Sequence, residues 1–404
     1  MSGVAAGAVL VLNAGSSSLK YQLLHPDTEA VVAEGIAERI GDEKSSITYT
    51  RNGESTTEHR ALPDHLAAIE SAIELLAGDG IDLAAADLAA VGHRVVHGGR
   101  SFFHPVVVTD KVISEISRIA PLAPLHNPAN LTGIEAARAL LPKVPSVAVF
   151  DTAFFHDLPD AAATYAIDQG VAREHAVRRY GFHGTSHQFV SARVAEYLGR
   201  DLADLNQIVL HLGNGASASA IAGGRPIDTS MGMTPLEGLV MGTRSGDLDP
   251  GLVIHLHRVA GLSFDEIDRL LNKESGLKGL CGENDFRTIA TRIEAGDASA
   301  RAAYDVYIHR LRHYIGAYMI GLGRVDAITF TAGVGENDAT VRANALAGLE
   351  HYGIVIDPDR NLIRAKTPRR ISVDGSAIEV LVVPTNEELA IARLAAGVVS
   401  GARD

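Results

Sequence analysis

The stretch Val9-Leu-Val-Leu-Asn-Ala-Gly-Ser-Ser-Ser-Leu-Lys20 carries an apolar strand into a Gly-Ser turn and out into a second β-prone segment, Leu19 to Leu23. Far downstream, Ile208-Val-Leu-His-Leu-Gly-Asn-Gly-Ala-Ser-Ala-Ser219 repeats the pattern. A strand meets a glycine turn, an alternating segment follows over Ala216 to Ile221, and Gly223-Gly224 offers a further hairpin turn. Such a repetition reads as an internal duplication, with two related halves bringing both glycine turns to one cleft. The plain alternative is that two Gly/Ser hairpins resemble each other by chance.

Around these hairpins, strand-like runs at Ala8 to Leu12, Val144 to Phe150, Ile208 to Leu212 and Ile328 to Thr331 alternate with helical patterns at Leu66 to Leu76 and Arg301 to Leu322. The class is α/β. Another short strand, Val380 to Pro384, precedes Asn386, which is placed to cap a final helix over Glu387 to Val399. A chain of 404 residues exceeds the size at which one hydrophobic core keeps growing, so two domains are expected.

With 46% hydrophobic and 21% charged residues the composition is that of a globular protein. A formal charge of −13 would repel nucleic acid and anionic membranes, so neither is an expected partner and any anion site must be local. The single cysteine, Cys281, excludes an intramolecular disulfide and suits a reducing compartment. The run Val9 to Leu12 has no basic flank or small-residue cleavage site, and no stretch approaches the roughly 18 apolar residues of a membrane helix. A soluble, cytoplasmic protein is expected.

Several familiar motifs fail on inspection. No Gly-x-x-x-x-Gly-Lys-Ser/Thr occurs. Gly213-Asn-Gly-Ala-Ser-Ala218 matches a dinucleotide fingerprint, but a strand and a turn follow where that fold demands a helix. His93-Arg94 and Asp285-Phe286 look like protein-kinase fragments, yet the following residues are wrong. His183 and His187 stand four apart without the Glu of a zinc pair.

What remains is a set of polar residues at strand ends and in Gly-rich turns: Asn13, Ser16 to Ser18, Arg94, His126, Asp151, His183, Asn214, Arg244 and Glu387. Singly, each is explained as a turn former or a surface ion pair. Together they lie inside ordered motifs: Leu12 to Lys20, His93-Arg-Val-Val-His-Gly-Gly99, Ala123-Pro-Leu-His-Asn-Pro128 and Phe150-Asp-Thr-Ala-Phe154. Tyr180-Gly-Phe-His-Gly-Thr-Ser-His187, His211 to Ser217 and Met241-Gly-Thr-Arg-Ser-Gly-Asp-Leu-Asp-Pro250 follow, then Phe330-Thr-Ala-Gly-Val-Gly-Glu-Asn337 and Pro384-Thr-Asn-Glu-Glu388. In this order they resemble the acetate kinase family along nearly the whole chain. The differences, such as Phe154-Phe155-His156 and Gly282 to Arg287, remove no motif residue.

The resemblance implies two duplicated α/β domains of the actin and hexokinase (ribonuclease H-like) type with a cleft between them. Residues 1–155, completed by the helix 387–404, would form the first, and 156–386 the second, with most nucleotide contacts. It further implies ATP/ADP as co-substrate, a magnesium ion (manganese being the alternative), acetate or acetyl phosphate as partner, and a homodimer. Arg94 would hold the carboxylate, and Arg244 and His183 would stabilise the transferring phosphoryl group, as suits a loose transition state whose charge is spread over oxygens.

Acetate is ionised at neutral pH and needs no general base, so Asp151, catalytic in the family, is read as orienting Arg94 or a metal-bound water. Asn13 and Glu387 fall on the metal side. Lys20 and His211, Leu212, Gly213, Asn214 and Gly215 would lie near the phosphates. Asp285, Phe286 and Arg287, with Gly333, Val334, Gly335, Glu336 and Asn337, would surround the adenosine. Val96, Leu125, Phe182 and Pro235 match the family's apolar acetate pocket, with His126 beside them. The alternatives are a propionate or butyrate kinase, since one methylene is worth only about 1–3 kcal/mol, and a non-catalytic nucleotide-binding protein of the same superfold. Retention of both Arg94 and Arg244 favours the enzyme.

Overall fold

A computed structural model of the chain describes residues 7–83 and 88–401. The chain divides into two compact units, Met1–His156 with Asn386–Asp404, and Asp157–Thr385.

In the first unit, β1 (Ala8–Ala14), β2 (Ser18–His25), β3 (Ala30–Glu38), β4 (Ser46–Arg51), β5 (Glu54–His59), β6 (Leu88–Val95), β7 (Val106–Val107) and β8 (Ser146–Phe150) form one sheet in the order β5-β4-β3-β2-β1-β6-β8-β7. The first five strands are an antiparallel meander, and β6 and β8 extend it in parallel from β1. Central strands of this kind are covered on both faces, which is why β1 and β8 are apolar on both sides. Leu10 and Leu12 join a core with Ala68, Ala72 and Ala137 from the helices His65–Gly78 and Asn127–Leu140.

The opposite face of β6 receives the last helix, Glu387–Ser400. A Cβ on Gly92 would come within 2.8 Å of the Ile391 side chain, so only glycine admits the helix this closely. Asn386 caps that helix as expected, its side chain accepting from the Leu389 amide. The strand expected from Val144 starts instead at Ser146, because Pro145 has no N–H; its carbonyl accepts from Val91 at 2.8 Å.

The second unit repeats the succession. β9 (Asn206–Leu212), β10 (Ala216–Ala222), β11 (Arg225–Thr229), β12 (Ala327–Thr331), β13 (Arg369–Arg370) and β14 (Glu379–Val382) are ordered β11-β10-β9-β12-β14-β13. The hairpins β9·β10·β11 are antiparallel, β12 and β14 are parallel to β9 and to each other, and β13 closes antiparallel on β14. This matches β3-β2-β1-β6-β8-β7 strand for strand, so the two glycine turns seen in the sequence are equivalent positions of one duplicated topology. No helix among the described residues is long and apolar enough to cross a membrane.

Candidate active site

Parallel strands put their carboxyl ends on one edge of a sheet, and loops leaving that edge are the natural seat of a site. In the first unit, that edge carries Asn13 of β1, Arg94 of β6 and Asp151, the residue after β8. Asp151 accepts two bonds from Arg94, Nε to Oδ1 at 2.9 Å and Nη2 to Oδ2 at 2.6 Å. The Asp151 side chain is 1% exposed while that of Arg94 keeps 20%. Arg94 shares its face of β6 with Gly92, two residues earlier, so the helix packed there delivers Glu387, whose Oε2 lies 3.7 Å from Arg94 Nε. Among the described residues the Nη1 edge makes only a 3.5 Å contact, with Asn13 Oδ1.

Burial opposes the charge of Arg94, but Asp151, Glu387 and Glu388 outweigh it and hold its pKa above the ordinary value. Burial likewise lifts the Asp151 carboxyl, with Arg94 opposing and Glu387 adding to the rise. The fork-to-fork geometry uses both oxygens of Asp151 as acceptors, the arrangement of an ionic pair.

Two buried asparagines build the surrounding loops. Asn130 accepts from the Val96 amide at 3.0 Å and donates to the Ala14 carbonyl at 2.6 Å, tying the exits of β6 and β1 together. Asn127 accepts from the His97 amide and donates to the His97 carbonyl. Sequence reading placed Asn127 in a motif but assigned no function to either; an Asn-x-x-Asn pair opening a helix was the available signal.

In the second unit, His183 precedes the helix Gly184–Leu198 in a left-handed conformation, φ 56°. Its ring stacks on His211 of β9 with centroids 4.2 Å apart, and its Nδ1 lies 2.9 Å from Ser217 Oγ. Ser186 Oγ bridges His211 Nδ1 and Thr385 Oγ1, both at 2.8 Å. Arg244 donates from Nη1 to the Pro235 carbonyl at 3.2 Å. A Cβ built on Gly215 would lie 3.6 Å from both Arg244 Nη1 and His183 Nε2, so the cation and the imidazole converge over this glycine.

Beside them opens a cavity of about 740 Å³, within the size range of small-molecule sites. Gly213, Asn214, Asp285, Phe286, Arg287, Gly333, Val334 and Asn337 line it, as do Gly242, Asn284 and Arg342, which sequence reading did not select. His211, Leu212, Gly215, Gly335 and Glu336 are not among its lining residues. Lys20 belongs to the first unit, across the ladder from Asn13. Asn214 is fixed by Asn284 Nδ2 at 2.9 Å and by the Gly242 amide on its carbonyl. Asp285 is held down to about 2, chiefly by the Arg287 side chain. Of the apolar residues selected for the acetate, Val96 and Phe182 are buried, Leu125 is 42% exposed and Pro235 is half-buried; His126 precedes the helix Asn127–Leu140.

A duplicated α/β topology with an arginine at the carboxyl end of a parallel strand and a cavity of small-molecule size fits a phosphotransferase of the actin/hexokinase-like class. The chain belongs to the Acetokinase family, whose model matches residues 8–393. It is 60% identical to the acetate kinase of Streptomyces griseus subsp. griseus, over 95% of this chain and 94% of that protein. Its structure is similar to the crystal structure of Porphyromonas gingivalis acetate kinase, with TM-score 0.92 and 44% identity over 97% of this chain and 100% of that one. A propionate kinase from Francisella tularensis follows at TM-score 0.91 and 39% identity, covering 96% and 98% of the two chains.

Proposed function

We propose that this chain catalyses the reversible reaction ATP + acetate = ADP + acetyl phosphate, with magnesium. The observation that carries the reading is Arg94, locked by a buried carboxylate while its Nη1 edge keeps only a long contact. A guanidinium so held meets a second, mobile carboxylate without reorganising. In this reading Arg94 holds acetate, Asp151 orients Arg94, and Arg244 with the Nε2 edge of His183 stabilises the transferring phosphoryl group. No proton need leave the acid, since acetate is already ionised.

The oxygens of Asn13 and Glu387, each in long contact with Arg94, fit a hard cation that keeps most of its waters. A magnesium ion there would neutralise nucleotide phosphate charge. The lining residues of the 740 Å³ cavity take the adenosine, and Val96, Leu125, Phe182 and Pro235 meet the methyl group. Likeness to a propionate kinase favours propionate as a second acceptor. A homodimer in the cytoplasm, proposed from family likeness, is checked by sedimentation of the purified chain and by fractionation of the source cells.

The test is trapping of acetyl phosphate as hydroxamate from acetate, ATP and magnesium, with Arg94→Ala and Arg244→Ala beside the wild type. Collapse of activity in both variants, with nucleotide binding kept, supports the assignment. Absence of acyl phosphate from the folded wild type with acetate, propionate or butyrate would overturn it.

A further inference from the structure

His183 caps the helix Gly184–Leu198 and His187 lies in its first turn, while Ser217 and Ser219 lie two apart on β10, on one face of the strand. The two rings and the two hydroxyls alternate along this contact. They form a single chain: Ser219 Oγ to His187 Nδ1 at 2.7 Å, His187 Nε2 to Ser217 Oγ at 2.7 Å, and Ser217 Oγ to His183 Nδ1 at 2.9 Å. Ser217, Ser219 and His187 are fully buried.

The far end decides the direction of every bond. Among the described residues the only hydrogen-bond partner of the Ser219 hydroxyl is His187 Nδ1. A buried hydroxyl that kept its proton undonated would forfeit a hydrogen bond, so the favoured arrangement has Ser219 donating and His187 Nδ1 accepting. Burial, with His211 adding, keeps the His187 pKa well below its ordinary value, so the ring is neutral and carries its one proton on Nε2. That N–H donates to Ser217 Oγ, whose own proton then goes to His183 Nδ1.

We infer that Ser219, His187 and Ser217 are positioning residues that fix the proton of His183 on Nε2, the edge that converges with Arg244 Nη1 over Gly215. The imidazole thereby presents an N–H donor to an anionic phosphoryl group. The serines touch no substrate. They act by polarity alone, in the way an orienting third group sets the tautomer of a catalytic histidine. The catalytic consequence rests on the role proposed for His183, but the tautomer itself does not.

The experiment is nitrogen-15 NMR of the full chain labelled in its histidines, for the wild type, Ser219→Ala, Ser217→Ala and Ser219→Thr, with steady-state kinetics on the same samples. The wild type is expected to show His183 as one tautomer, protonated at Nε2. Ser219→Ala, two side chains away, should give a mixture of tautomers and lower kcat on the order of tenfold, with KM for acetate and ATP little changed. Ser217→Ala should do at least as much, and Ser219→Thr, which keeps the hydroxyl, should retain the single tautomer. A wild-type proton on Nδ1, or an unchanged tautomer in Ser219→Ala, would overturn the inference. Lack of phosphoryl transfer in the wild type would instead overturn the proposed function and leave the tautomer assignment intact.

Discussion

Asp151 holds Arg94 by two parallel bonds, and the pair responds asymmetrically to mutation. Arg94→Ala should lower kcat/KM for acetate by roughly 10²–10³, with ADP affinity retained by calorimetry. Arg94→Lys should recover little of this, since an ammonium cannot make the paired contact. Asp151→Asn leaves a largely buried cation with only the longer 3.7 Å contact to Glu387 and should cost up to about 3 kcal/mol of stability, measured by denaturant unfolding.

His93, the neighbour on the opposite face of β6, has a different task. Its Nε2 finds no hydrogen-bond partner among the described residues, and burial pushes its pKa down to about 3. Between about pH 3 and 6.5 the unfolded chain binds a proton at this position that the folded chain refuses, so stability falls as pH falls through that window. The contribution at pH 5 relative to pH 7 is about 2 kcal/mol. His93→Phe, if it folds, should flatten the acid limb of the stability curve; an unchanged acid limb would show that His93 is protonated in the fold. Arg94, Asp151 and Asn13 were legible in their motifs. The burial of His93 was not, because a histidine beside a functional arginine gives no sign of which face it occupies.

The decisive elements are those that bring a polar end to a sheet edge. The helix Glu387–Ser400 does so by packing on Gly92, and its start is set by Asn386. Asn386→Ala should cost about 1 kcal/mol through loss of the cap and raise the magnesium concentration needed for half-maximal activity, as Glu387 loses its fixed position. In the second unit, a Cβ on Gly242 would fall 2.0 Å from Asn214 Oδ1. Gly242→Ala should therefore displace Asn214 and weaken ADP binding, with kcat at saturating ATP less affected; titration calorimetry reads the difference. The cap at Asn386 was visible as an Asn before an acidic first turn, whereas the Gly242 contact joins loops from different parts of the chain and left no periodic signal.

At the scale of the molecule, ligand binding and stability are linked, because a ligand that binds only the folded state stabilises it. Magnesium with ADP should slow amide exchange in 284–287 and 333–340, around the cavity of the second unit, in the wild type and equally in Arg94→Ala. Protection lost in Arg94→Ala would contradict the separation of nucleotide binding from carboxylate binding.

The sequence alone determined the α/β class, the duplicated hairpins and most of the polar residues at strand ends. Hydrophobic periodicity and glycine turns are local properties, and the motifs survive as contiguous strings. Only the tertiary structure decided which side chains share a hydrogen bond. Arg94 and Asp151 are 57 residues apart, and His187 meets Ser217 and Ser219 across 30 and 32. A spacing of four across a helix start and of two on a strand looks unrelated in one dimension. It matches only when packing lays the helix against the sheet, and a buried hydroxyl with a single partner then dictates where the protons lie.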